Sequence, residues 1–348
     1  MKIITVVGAR PQFVKAAVLS RLIQARESVK EVIIHTGQHF DTNMSKVFFQ
    51  QMDIPEPDYN LNINSLSHGA MTGRMIQGIE ELIVIEKPDW LLVYGDTNST
   101  IAGALAAKKL QVNIAHVEAG LRSFNRAMPE EINRILTDRI SDILFCPTST
   151  AIENLKNEGI AGSSVVLSGD VMLDAVRNYL PQALVPEADL PQEFILATIH
   201  RQENTDDKER LYPIFEALNM ISVTLPVVIP LHPRTAKLID RNKWQNICFI
   251  DPVSYFEMLF LLKHCSLVFT DSGGLQKEAF FLAKPCVTVR DQTEWVELID
   301  NGFNMLTAAN IQEIISKIEI MLKRNLDFSI DLYGNGDAGG IILNNLMK

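Results

Sequence analysis

Asp96, Glu118 and Glu130 stand in the segments YGDTNST, HVEAGLRS and MPEEINR, each beside the end of an apolar run or the start of a helical one. Carboxyl groups gathered at one rim suit proton transfer, because crowding raises at least one pKa toward the working range. Two of them also have plainer readings: Asp96 as the cap of the helix TIAGALAAKKL, and Glu130 in a surface ion pair with Arg134, four residues on. A second group carries histidines, arginines and glycines. His200 and Arg201 follow the apolar FILA in TIHRQEN, His232 and Arg234 lie in PLHPRT, and Asp271-Ser272-Gly273-Gly274 leads from SLVFT into the helix LQKEAFFLA. Glycines admit a phosphate close to backbone N–H groups, the serine adds a donor, and a helix start favours negative charge. The stretch lacks the lysine-threonine ending of an ATP-type loop and the full glycine pattern of a dinucleotide site. An ordinary strand-to-helix turn is its plainer reading. Glu278, near the start of that helix, suits a vicinal diol, and a diol beside a phosphate means a ribose. Arg10 and Lys15, in the turn and helix after IITVVG, bring cations to another helix start. Together these residues describe a nucleoside-diphosphate ligand, with His200 across a cleft from the three carboxylates.

The elements that must hold them are legible as a rhythm. IITVV, EVIIHT, DWLLVYG, NIAHVE, DILFCP and SVVLSG alternate with helical patterns, and FILATIH, PVVIPLH, NICFID, SLVFTD and CVTVRD repeat the alternation. Continuous apolar strands separated by helices mean parallel sheets buried on both faces and built from right-handed βαβ units. The reading is an α/β chain of two doubly wound, Rossmann-like domains facing across a cleft, with ligands beyond the carboxyl ends of the strands. The break falls at Asp174 to Gln192, where DAVRNYLPQAL gives way to VPEADLPQ, which divides the chain into 1–174 and 190–330 with a last apolar helix in 331–348. In MPEEINRILTDRI, Pro129 starts a helix whose Ile132, Ile135, Leu136, Ile140 and Ile143 are expected to form one core-facing side.

Composition narrows the function classes. At 348 residues the chain exceeds what one core holds, and 47% hydrophobic with 21% charged residues describes an ordinary globular protein. With 42 acidic against 32 basic residues and a net charge of −10, nucleic acid or an anionic membrane is a poor partner. Cys146, Cys248, Cys265 and Cys286 lie in apolar runs without metal or redox spacing and read as small core residues. No signal-like start or membrane-length apolar run is present, so a cytoplasmic protein is expected.

The motifs GARPQFVKAA, TGQH, YGDTNST, HVEAGLRS, MPEEINR, TIHRQEN (with Ile199 standing before His200), LHPRT, TDSGGLQKEA and RDQTEWVE resemble, in order and over nearly the whole chain, the UDP-N-acetylglucosamine 2-epimerase family. The resemblance implies a GT-B type fold, a C-terminal helix crossing back to the first domain, and a UDP-binding second domain. It implies inversion at C2 of a UDP-linked N-acetylhexosamine by elimination and readdition of UDP through 2-acetamidoglucal, without NAD or metal. By matching position, Asp96, Glu118, Glu130 and His200 would be the acid/base group, with Arg10, Lys15, His232, Ser272, Gly273, Gly274, Glu278 and Arg290 around the nucleotide and Arg134 supporting Glu130. Gln38, His39, Arg74 and Arg201 match positions where some members bind a second, activating UDP-sugar, although Asp41 stands where glutamine is usual. Thr293-Glu294-Trp295-Val296-Glu297 and the Asp170 of GDVMLD are similar to the branch acting on UDP-2,3-diacetamido-2,3-dideoxyglucuronate, Trp295 having core packing as its plainer reading. Relatives further suggest a homodimer that takes a UDP-sugar. Rival readings are a hydrolysing relative that releases UDP and free sugar, a GT-B glycosyltransferase, and a silent nucleotide-sugar binding protein.

Overall fold

The computed structural model describes residues 1–38, 52 and 54–348. The chain divides into two compact units, Met1–Arg177 with Asp331–Lys348, and Asn178–Ile330.

In the first unit the apolar runs form β1 (Lys2–Val7), β2 (Lys30–His35), β3 (Tyr59–Asn60), β4 (Trp90–Tyr94), β5 (Asn113–Val117), β6 (Ile143–Cys146) and β7 (Val165–Leu167). The helices are α1 (Arg10–Gln24), α2 (His68–Glu86), α3 (Asn98–Lys109), α4 (Pro129–Ile140), α5 (Ser149–Asn157) and α6 (Val171–Tyr179), which runs to the division. The sheet order β3-β2-β1-β4-β5-β6-β7 is parallel throughout and reverses direction between β1 and β4. Such a reversal parts the loops beyond the strand ends and opens a crevice.

The second unit holds β8 (Ile195–Thr198), β9 (Val227–Pro230), β10 (Cys248–Ile250), β11 (Leu267–Thr270), β12 (Cys286–Thr288) and β13 (Asn304–Leu306). Between and after them run α7 (Gln202–Thr205), α8 (Lys208–Ile221), α9 (Pro233–Ala236), α10 (Tyr255–His264), α11 (Gly273–Phe281), α12 (Val296–Asp300) and α13 (Ile311–Lys323). The order β10-β9-β8-β11-β12-β13 is again parallel and reverses between β8 and β11. Burial on both faces is visible residue by residue in β8: Ile195 and Ala197 pack with Phe215, Trp244 and Ile318, while Leu196 packs with Leu261, Leu275 and Ala279. The last helix, α14 (Ala338–Leu346), belongs to the first unit, where the Asp174 carboxylate accepts the Ala338 and Gly339 amides at 3.2 and 2.8 Å. No helix among the described residues is long and apolar enough to cross a membrane. Cys146, Cys265 and Cys286 are buried and Cys248 is partly exposed; all are free thiols.

One expectation is overturned. The side of α4 that is buried consists of Glu131, Asn133, Arg134, Thr137 and Asp138, whereas Ile132 and Leu136 are each 46% exposed and Ile143 belongs to β6. Glu131, Asn133, Arg134 and Asp138 turn inward because each finds hydrogen-bond partners in the turns after β4 and β5, and those bonds outweigh the pull of a modest apolar stripe.

Glu31, on β2, is largely buried beside Thr5, which donates a hydrogen bond to it. Burial raises its pKa from 4.5 to about 6, against the opposing pull of that hydrogen bond. A carboxyl whose native pKa is raised contributes stability that is complete below 4.5 and lost as pH rises through 6. Above that, the ionised group costs about 2 kcal/mol. Glu31→Gln is therefore expected to melt higher than the parent near about pH 8, the gain fading toward about pH 4. Parallel melting curves at every pH would reject the assignment.

Candidate active site

In the first unit, three strand ends converge on Gly8. A Cβ there would lie 2.1 Å from Ser99 Oγ and 2.2 Å from Thr36 Oγ1, so only glycine fits. Gln12, buried in the first turn of α1, accepts the Gly8 and Ala9 amides at 2.9 and 3.1 Å. Its amide nitrogen donates to the Tyr94 carbonyl, Thr97 Oγ1 and Thr100 Oγ1 at 2.9, 3.0 and 3.0 Å. One side chain thus joins the turns on both sides of the β1/β4 reversal.

Thr97, and not Asp96, caps α3, its hydroxyl accepting the Thr100 amide at 3.3 Å. The Asp96 carboxylate is left to Arg134, whose Nη2 donates to Oδ2 at 2.6 Å. Arg134 Nη1 also donates to Glu131 at 2.8 Å. Of Glu130 and Glu131, the second is buried because it also accepts the Ser123 and Phe124 amides, both at 2.9 Å. Glu130, one residue earlier, stays partly exposed at the start of α4. Asn133 donates to the Asp96 carbonyl at 2.8 Å.

Glu118 follows β5 in the left-handed region, with φ of 73°. Its carboxylate pairs with Lys15 Nζ from α1, both side chains only 9% exposed. Lys15, expected beside a nucleotide, is thus the counter-charge of a candidate base. Opposite charge at contact favours the ionised carboxylate, the form that takes a proton. Gly95 favours glycine: its φ is 61°, and a Cβ would crowd Glu118 Oε2 at 3.1 Å. Behind the turn, Asp138 accepts His116 Nδ1, Arg122 Nη1 and the Gly120 amide at 2.7, 2.7 and 3.1 Å. Burial alone would raise the Asp138 pKa, but His116 and Arg122 outweigh it and hold the carboxyl below its ordinary range. Asp138 is therefore a fixed anion and no acid. Gln38 accepts from Ser99 N and Oγ at 3.1 and 2.8 Å, Arg74 is exposed on α2, and His39 and the Arg10 side chain lie outside the described residues.

In the second unit the pivot is Asp271, fully buried at the end of β11. Its carboxylate accepts the His200 amide at 3.0 Å, the Arg201 amide at 2.9 Å and Asn204 Nδ2 at 3.2 Å, and it lies 3.4 Å from His200 Nδ1. The His200 side chain remains 37% exposed, its ring 5.5 Å from that of His232. His232 caps α9 by accepting the Arg234 amide at 3.2 Å. Arg201 reaches Glu203 at 3.5 Å.

Ser272 caps α11, its hydroxyl accepting the Leu275 amide at 3.5 Å. The Gly273 and Gly274 amides that open the helix have no preceding turn to bond, which leaves them to a ligand anion. A Cβ on Gly273 would meet Glu294 Oε1 at 2.5 Å, while Gly274 faces open space. Arg290 is buried and donates to Glu294 at 3.0 Å. Glu278, in the second turn of α11, is buried near Tyr255, whose pKa is pushed up first by burial and then by this carboxylate. Trp295 is buried with Lys277 Nζ 3.9 Å from its ring centre, so it packs in the core.

Each unit therefore gathers its own set, with carboxylates and their cations in the first and histidines, glycines and Arg290 in the second. The sequence does not single out Gln12, His116 or Asp138, and it places Asp271 only as the first residue of the phosphate-type turn. For Gln12 and His116 the available signal is a polar residue inside a strand run or on the first turn after one; Asp138, late in α4, carries no such signal.

The sequence model of the family described as UDP-N-acetylglucosamine 2-epimerase matches residues 21–347. A UDP-2,3-diacetamido-2,3-dideoxy-D-glucuronate 2-epimerase of Pseudomonas aeruginosa is 56% identical over 353 residues, covering 100% of both chains. The crystal structure of Methanocaldococcus jannaschii UDP-GlcNAc 2-epimerase in complex with UDP-GlcNAc and UDP superposes with a TM-score of 0.89 at 40% identity, over 100% of this chain and 99% of that one. The Neisseria meningitidis UDP-GlcNAc 2-epimerase bound to UDP-GlcNAc gives 0.90 at 30% identity over 100% of each. Two parallel, doubly wound units of the GT-B type and matches that run the length of the chain lead to one conclusion: the chain belongs to the UDP-N-acetylglucosamine 2-epimerase family.

Proposed function

We propose that this enzyme inverts C2 of a UDP-linked N-acetylhexosamine, and that its substrate is the 2,3-diacetamido-2,3-dideoxyglucuronate form. The observation that carries the chemistry is the pairing of Glu118 with Lys15 and of Asp96 with Arg134, two ion-paired carboxylates in turns tied to one another. The substrate assignment rests on the 56% identity to the Pseudomonas enzyme across the whole chain.

C2–H has no neighbouring carbonyl to acidify it, so the leaving group must depart first. The C1–O bond breaks and its electron pair leaves with UDP; the cationic centre at C1 acidifies C2–H. A carboxylate takes that proton, giving the corresponding 2-acetamidoglycal, with the groups at C3 and C6 unchanged. A proton then returns to C2 on the opposite face, and a UDP oxygen re-forms the bond to C1. Glu118 is the base we assign first, with Asp96, Glu130 and His200 as the remaining proton-transfer groups. Arg290, the Gly273 and Gly274 amides and the start of α11 take the diphosphate, with Ser272 and His232 beside them and Glu278 at the ribose. The first unit acts as the proton-transfer domain and the second as the nucleotide domain. The same proposal includes a homodimer, for which the outward Ile132 and Leu136 offer a face to bury. Light scattering near twice 39.0 kDa would support it, and a monomer would remove it.

The test is incubation in D2O with the diacetamido-uronate substrate and, separately, with UDP-N-acetylglucosamine, followed by proton NMR. Deuterium is expected at C2 as the second epimer grows, with the UDP-sugar intact, and faster in the first tube. Free sugar and UDP would point to a hydrolysing enzyme. No exchange in either tube would overturn the reading.

A further inference from the structure

His116 lies in β5, two residues before Glu118, and is completely buried. Nδ1 stands 2.7 Å from Asp138 Oδ1 and Nε2 stands 2.8 Å from the carbonyl oxygen of Gly95. A carboxylate held ionised and a carbonyl can only accept, so both bonds exist together only when each ring nitrogen carries a hydrogen. The ring then spans a fixed distance between α4 and the turn after β4.

That turn has other ties, among them the Arg134–Asp96 pair at 2.6 Å, but of these only a backbone bond holds Gly95 itself. The Gly95 amide donates to the Val117 carbonyl at 3.0 Å, and the Asp96 carbonyl accepts from Asn133. Glu118 sits at positive φ, a region residues other than glycine leave unless neighbours impose it. The other end of the span is equally anchored, since Arg122, which grips Asp138, is clamped on Glu158 by bonds of 2.6 and 2.9 Å.

We propose that His116 is a positioning residue: donating from both nitrogens, it locks the Gly95–Asp96 turn to Asp138 and so sets the spacing of the Asp96 and Glu118 carboxylates. The proposal rests on the assignment of those two carboxylates to proton transfer. It differs from a merely satisfied core histidine in what it says about the two nitrogens. The core role needs any good filling of the site; the positioning role needs the bond to Gly95.

Glutamine and asparagine separate the two. The glutamine amide nitrogen overlays Nε2 and keeps the donor to Gly95, whereas the asparagine nitrogen overlays Nδ1, keeps Asp138 and drops Gly95. Misplacing a reacting group by about 1 Å costs about 10²-fold. His116→Asn is therefore expected to lose about 10- to 100-fold in kcat with KM within about twofold, and His116→Gln to recover most of that loss. Equal losses in both variants, or parental kcat in His116→Asn, would overturn the proposal. Should either variant fail to fold, the parent protein answers directly: nitrogen-15 NMR of His116, assigned through its backbone, is expected to show slowly exchanging N–H protons on both ring nitrogens. A single N–H would overturn it. Asp96→Asn and Glu118→Gln run alongside distinguish the failures. If those retain turnover, the acid/base assignment falls; if they lose it while His116→Asn does not, only the positioning role falls.

Discussion

Glu118→Gln is expected to lower kcat by about 10²- to 10⁴-fold while leaving KM nearly unchanged, and to abolish deuterium entry at C2. The amide has the carboxylate's shape and can still accept from Lys15, but it cannot take a proton. Because the pair is buried, the substitution also leaves Lys15 without its counter-charge, and removing one partner of such a pair costs about 3–5 kcal/mol. Lost turnover could then be confused with lost stability. The double variant Lys15→Met/Glu118→Gln separates them: replacing both charges is expected to restore most of the melting temperature and none of the turnover. Parental exchange at C2 in the single variant would remove Glu118 from the chemistry. Recovery of exchange in the double variant would show that Lys15 and Glu118 matter for stability alone.

How far the sequence speaks for itself depends on the range of the interaction. Parallel strands buried on both faces announce themselves as β-branched runs, and IITVV, WLLVY and LVFT all became strands where they were read. A parallel sheet opens beyond its strand ends, so Asp96, Glu118, His200 and the Ser272 turn are candidates legible without knowing any contact. The pairings were another matter. Lys15 and Glu118 are 103 residues apart, and His200 and Asp271 are 71 apart, so no local pattern reports which cation meets which carboxylate. Lys15 was accordingly read as a phosphate ligand.

The reading of α4 failed for a reason that is itself local. Periodicity places apolar residues inward because their burial, at about 25 cal/mol per Å², usually outweighs what polar side chains gain there. In MPEEINRILTDRI the polar positions Glu131, Asn133, Arg134 and Asp138 fall on one stripe as regularly as the isoleucines do on the other. Two faces thus competed for the interior. The polar one won because the turns after β4 and β5 present the Ser123, Phe124 and Gly120 amides and the Asp96 carbonyl, groups that would otherwise be buried without partners. A helix that carries an ordered polar stripe beside a strand-end motif is better read as the support of that motif than as core packing.

Asp271→Ala is expected to be the most destabilising single change in the second unit. It strips the acceptor from the His200 and Arg201 amides and from Asn204, all on the segment that carries the candidate acid/base histidine. Each orphaned donor costs about 1–3 kcal/mol, so the loss is expected to reach about 3–5 kcal/mol in denaturant unfolding. Asp271→Asn keeps one carbonyl acceptor and is expected to fall between the parent and the alanine variant. Stability alone would not show that the carboxylate organises the site. Hydrogen exchange does: the His200 and Arg201 amides are expected to be protected in the parent and to exchange rapidly in the alanine variant, beyond what global unfolding accounts for. Parental stability, or protection that survives the substitution, would sink the assignment. The reason to expect otherwise is topological. Asp271 ends β11, His200 follows β8, and these are the neighbouring strands between which the sheet order reverses. At that point the two loops are tied by the Asp271 amide on the Thr198 carbonyl, by the Thr198 and Thr270 hydroxyls, and by one carboxylate at the strand end that takes three donors. Asp271 supplies that carboxylate, and it opens the same turn whose glycine amides are offered to the diphosphate.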